Sequence, residues 1–102
     1  MTEMHFLVGL QEFLNQYRVI YTVRRYLYEP DNKVVFIPGV GACRRTLVSK
    51  VPTDEGSARV LLTLYATESG LDTFEAWWDK IWKINKNYQG TELYLYKVVK
   101  IR

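Results

Sequence analysis

One segment constrains the fold more than any other. Within residues 72–86, Phe74, Trp77, Trp78, Ile81 and Trp82 recur at i, i+3, i+4, i+7 and i+8. That spacing puts large apolar side chains on one face of an α-helix. Asp79, Lys80, Lys83 and Lys86 take the wet side. Asp72 and Glu75 stand three apart at the start, as an N-capping pair does. Acids lie early and lysines late, the order the helix dipole favours. Such a stripe needs a broad apolar surface to lie against, and the rest of the chain offers strand-like runs.

The clearest of these spans residues 18–28, RVIYTVRRYLY, rich in β-branched and aromatic residues. Side chains alternate along a strand. Val19, Tyr21, Val23, Arg25 and Leu27 make the more apolar face, expected toward the core. Arg18, Ile20, Thr22, Arg24, Tyr26 and Tyr28 make the other, with Arg24 expected outward. Residues 29–32 (EPDN) form a turn. Residues 33–37 (KVVFI) are a continuous apolar run, expected to be a strand buried on both faces. Residues 44–51 alternate weakly and read as a strand. Residues 57–67 (SARVLLTLYAT) also read as a strand, although their Ala and Leu content suits a helix. Residues 91–102 read as the terminal strand, residues 4–8 as a short first strand, and residues 10–16 as a short helix with Leu10, Phe13 and Leu14 on one face.

The predicted order is β-α-β-β-β-β-α-β. It implies an α+β domain: a small mixed or antiparallel, barrel-like sheet packed by one short N-terminal helix and one long Trp-rich helix. At 102 residues the chain supports one domain, residues 1–102. No run approaches the ~20 apolar residues of a membrane span, and the N-terminus lacks the basic region of a signal peptide. The expectation is a soluble, cytoplasmic protein that does not engage membranes.

The net charge of +3 conceals a segregated pattern. Residues 13–50 hold seven basic side chains against two acids, and residues 80–102 hold six against one. Residues 51–79 hold one against six. If the basic segments share a side, that face attracts phosphates. If they interleave with the acids, the surface is neutral. Arg18, Arg24, Arg25, Arg44 and Arg45 interleaved with Tyr21, Tyr26 and Tyr28 make the strongest binding constellation. Arginine offers a planar fork to phosphate oxygens, and tyrosine offers a stacking surface to bases. The plainer reading is a charged outer sheet face.

Other constellations carry less. The Pro38-Gly39-Val40-Gly41 run lacks the Gly-Lys-Ser/Thr end of a phosphate loop and reads as an ordinary turn. One cysteine, Cys43, excludes an internal disulfide and reads as a small buried residue. One histidine, His5, with scattered acids gives no metal site, and no cofactor is expected. Trp77 and Trp78 lie ~100° apart on a helix, so one of them is expected to be only partly buried and to line a groove. Glu68 is the one acid without a local explanation. No residue is assigned a catalytic role.

Beyond these readings, the order and several residues resemble the ASCH domain of the PUA-like superfamily. Thr22-Val23-Arg24 matches its Thr-x-Arg element. Ser69-Gly70-Leu71-Asp72-Thr73-Phe74 matches the Ser-Gly segment that leads into an aromatic helix, and Leu93–Val98 resembles its closing strand. The resemblance implies RNA or nucleotide binding in a cleft beside that strand. It also brings in nucleoside hydrolysis, which some members are thought to perform with a Lys, a Thr and a Glu. Here Thr22 and Glu68 stand as candidates, but Val19 occupies the Lys position, which argues against an enzyme.

Two functional expectations follow. The first is a small RNA- or nucleotide-binding module using Arg18, Thr22, Arg24, Tyr26, Arg44, Arg45 and Lys97, with Tyr28, Trp77 and Trp78 as groove aromatics. The second is a protein-interaction or assembly module, its partner another protein or a second copy, docking on an aromatic groove or a strand edge.

Overall fold

The computed structural model describes residues 2–101. Four antiparallel strands form one open sheet in the order β1-β4-β3-β2. They are β1 (Val19–Arg24), β2 (Lys33–Ile37), β3 (Gly41–Pro52) and β4 (Glu92–Lys100). Three α-helices accompany them: α1 (Val8–Tyr17), α2 (Glu55–Leu62) and α3 (Phe74–Ile84), with a 3-10 helix over Thr63–Ser69 between the last two. The α+β class is as expected. The outer strands β1 and β2 do not pair with each other, so the sheet stays open.

Both sheet faces are covered, which organises everything else. On the back face Val23, Val51, Leu93 and Leu95 pack under Ala58, Leu62, Ala66, Phe74, Trp77 and Ile81. On the front face Ile20, Val35, Ile37, Cys43 and Val98 pack with Met4, Phe6 and Leu14. Central β4 feeds both cores, with Leu95 and Tyr96 consecutive and both fully buried. A bulge between Leu47 and Ser49 explains the weak alternation of β3. Cys43 and Val51 have the same parity, yet the extra residue sends them to opposite cores.

The largest correction concerns residues 57–67, which are helical. Asp54 accepts a hydrogen bond from the Ser57 amide and starts α2, and Arg59 pairs with Glu55 one turn back. The expected first strand, residues 4–8, reduces to a parallel bridge between Glu3 and Phe36. The bonds from Met4 N–H to the Phe36 carbonyl and from Phe36 N–H to the Thr2 carbonyl lie on the free edge of β2. β2 is not buried on both faces, because Phe36 is exposed.

The Trp-rich helix forms as expected, with two adjustments. Its cap is Thr73, whose hydroxyl accepts from the Ala76 amide. Asp72 has a left-handed φ of 65° and precedes the cap. Glu75 pairs with Arg59 instead of reaching back to Asp72. Before it, the buried Ser69 hydroxyl donates to the Ala66 carbonyl and accepts from the Leu71 amide. At Gly70, with φ of +85°, a Cβ would lie 2.7 Å from Leu10 Cδ2. That neighbour is the movable end of a side chain, so it is the left-handed φ that calls for glycine here.

Candidate nucleotide-binding cleft

Beside the edge strand β1 lies a cleft of about 430 Å³, within the size range of small-molecule sites. Thr22, Arg24, Arg25, Tyr26 and Tyr28 line it from β1 and the segment that follows. Phe6 and Leu7 come from the N-terminal segment, and Ile84 and Asn85 from the end of α3. Among the described residues no Asp or Glu lines it.

Arg24 is the anchor. The expectation that it points outward fails because the front face is covered by the N-terminal segment. Its guanidinium lies 4.8 Å from the centre of the Phe6 ring. Nη2 donates to the His5 carbonyl at 2.9 Å and Nε to the Thr22 hydroxyl at 3.2 Å. Burial pushes the Arg24 pKa down, partly offset by the Tyr28 hydroxyl, and the nearby positive Arg45 lowers it further. A guanidinium stays charged through such a shift, so the cleft keeps a fixed cation.

The aromatic wall is held by Tyr96, fully buried in β4. Its hydroxyl accepts from the Tyr28 amide at 2.8 Å and donates to the Tyr26 carbonyl at 3.1 Å. That bracket straps residues 26–28 across the front face. Burial pushes the Tyr96 hydroxyl pKa up. The Tyr26 and Tyr28 rings lie 6.2 Å apart, and Tyr26 is 56% exposed. Arg45, only 3% exposed, places its guanidinium 4.1 Å from the Tyr28 ring centre and 5.7 Å from that of Tyr96.

The fold separates residues that the sequence placed in one constellation. Arg44 and Arg45 are adjacent, so strand alternation sends them to opposite faces. Arg44 is exposed and donates to the Asn32 carbonyl at 3.1 Å, tying down the turn before β2. Lys97, paired with Thr46, is exposed on that same back face. Arg18 caps α1 in a left-handed conformation, φ 68°, away from the cleft lining. Trp77 is buried in the back core. Trp78 is half-buried against Phe74 and Trp82 and lines a separate hollow with Glu55, Arg59, Glu75 and Asp79. Glu68 is exposed and absent from the cleft lining, so it and Thr22 are not brought together there.

The cleft therefore unites Thr22, Arg24, Tyr26 and Tyr28, with Arg45 behind them. Among the described residues Arg24 and Arg45 lie on the front face and Arg44 and Lys97 on the back, and several cations are locally neutralised, as in Lys50–Glu92 and Lys83–Asp79. Sequence reading missed His5, Phe6, Leu7, Leu10, Ile84 and Asn85 as lining residues. Apolar residues at a helix start and end carry no local signal that they will meet a distant strand. Among the described residues no group of three or more His, Cys, Asp or Glu is placed to hold a metal, and no helix is long and apolar enough to cross a membrane. No family model, curated protein or solved structure matches the chain.

Proposed function

We propose that the protein is a small nucleotide- or RNA-binding module whose ligand enters the cleft beside β1. One observation carries the reading: two guanidiniums and two tyrosine rings converge on a cleft that, among the described residues, no Asp or Glu lines. Arg24 and Arg25 suit phosphate oxygens, the tyrosines suit a stacked base, and Phe6, Leu7 and Ile84 supply an apolar floor and rim. The Thr22-Val23-Arg24 resemblance to the ASCH element supports the same reading, and with it a PUA-like relationship. Fluorescence titration with mononucleotides and short single-stranded RNA tests it. If Arg24 and Arg25 each neutralise one phosphate of a single strand, affinity falls with a log–log salt slope of about −1.4. No salt-sensitive binding at micromolar protein rejects it.

A second reading rests on a different surface. The back face beyond the helices leaves Phe36 and Val99 exposed beside Arg44 and Lys97. Exposed apolar sheet flanked by cations suits a protein partner. Light scattering and pull-down with a Phe36→Lys variant test that alternative.

A further inference from the structure

Arg24 and Arg45 share a neighbour. Tyr28 lines the cleft together with Arg24, and its ring carries the Arg45 guanidinium at 4.1 Å. Two cations thus flank one side chain, one half-buried and one almost wholly buried. Among the described residues no carboxylate lies within 4.0 Å of either guanidinium. Asp31, whose charge reaches Tyr96, spends Oδ1 on the Leu47 amide at 2.7 Å. Burying charge without a close counter-charge is unfavourable, and an arriving anion relieves it.

We infer that the cleft is built for a dianion, a phosphate monoester carried by an aromatic ring, with Arg24 touching the phosphate and Arg45 supplying the second positive charge from behind Tyr28. This deepens the nucleotide reading and rests on it. Arg45 does not need to meet the ligand. Arg45, itself only 3% exposed, acts through the thickness of one ring, so its charge is screened less than a surface cation's, and the strap held by Tyr96 keeps Arg45 at that distance. A phosphodiester inside an RNA chain carries one charge, whereas a terminal monoester carries nearly two at neutral pH. The inferred ligand is therefore a free 5′-mononucleotide or an RNA bearing a 5′-phosphate end. Arg45 is a positioning residue here, selecting for ligand charge.

The test compares adenosine and uridine 5′-monophosphates with their 3′,5′-cyclic monophosphates and parent nucleosides. Binding is measured to the wild type, Arg45→Met and Arg45→Lys. Thermal shift with inorganic phosphate, against sodium chloride at equal ionic strength, runs alongside. The wild type is expected to prefer the monoester over the cyclic diester by at least about tenfold. Arg45→Lys keeps most of that preference, and Arg45→Met reduces it to less than about threefold while still binding nucleosides. Phosphate at ten times its wild-type Kd raises the wild-type melting temperature by roughly 5–10 °C, and that of Arg45→Met by clearly less. Without ligand, Arg45→Met melts at or above the wild-type temperature. Equal affinity for monoester, diester and nucleoside overturns the inference and leaves the nucleotide reading standing. Failure of every nucleotide and nucleoside to bind removes that reading, and the phosphate shift then decides the dianion site alone. A melting temperature well below wild type for ligand-free Arg45→Met also overturns it, since the guanidinium is then already satisfied by its rings and Asp31.

Discussion

Replacing Tyr96 with phenylalanine removes one oxygen and keeps the ring. The packing against Tyr28, at 5.3 Å between centroids, is retained. What is lost is the bracket: the Tyr28 amide loses its acceptor at 2.8 Å and the Tyr26 carbonyl its donor at 3.1 Å. Each hydrogen bond contributes about 0.5–1.5 kcal/mol net, and stranding a buried partner costs about 1–3 kcal/mol. Tyr28 is only half-buried, so water reaches part of the vacated site and the total is set at about 1–2 kcal/mol. For a domain of this size each kcal/mol lowers the melting temperature by roughly 4–8 °C. Circular dichroism melts and urea unfolding measure the loss, and hydrogen exchange of the Tyr28 amide locates it. Because Tyr26 and Tyr28 line the cleft, mononucleotide affinity is expected to fall by about tenfold, while protection of β3 and β4 amides tracks only the global stability change. A stability loss below about 0.3 kcal/mol, with unchanged Tyr28 exchange, refutes the strap.

Further outcomes follow from the same geometry. Burial raises the Tyr96 pKa, so the folded state favours the neutral phenol. Its contribution is fully present below the unfolded value near 10 and is lost as pH rises past it toward the higher folded value. Urea unfolding between pH 9 and 11 should show that decline, with Tyr96→Phe flattening it. Trp77→Ala, at a site 3% exposed, is expected to cost about 3–5 kcal/mol, with Trp78→Ala costing less than half of that in parallel denaturant titrations. Thr73→Ala should cost about 1 kcal/mol, whereas Asp72→Gly, at a left-handed φ, should leave stability unchanged or raise it by up to about 1 kcal/mol. The reverse order would return the cap to Asp72.

These sites also show what was legible in the sequence. The α3 stripe was, because three tryptophans at helical spacing outweigh any local ambiguity. Its cap was misread by one residue, since Asp72 and Thr73 are both good caps and the backbone conformation at Asp72 chose between them. Residues 57–67 were misread because Val, Leu, Thr and Tyr dominate them. The signals that would have corrected this lay in Asp54 ahead of the helix and in the Glu55–Arg59 spacing. At the site, Thr22, Arg24, Tyr26 and Tyr28 were legible because one strand and its exit carry them. The separation of Arg44 from Arg45 follows from alternation alone. That Arg24 is enclosed was not legible, because it depends on the N-terminal segment folding over the front face.

Ligand is expected to enter beside β1 and not on the exposed back face. Amide and side-chain NMR shift mapping during titration with adenosine 5′-monophosphate tests this most directly. Saturable shifts are expected at Thr22, Arg24, Tyr26, Tyr28 and Asn85, abolished in Arg24→Gln, with Phe36, Arg44 and Lys97 silent. Shifts centred on Phe36, Arg44 and Lys97 with an unmoved cleft would contradict it.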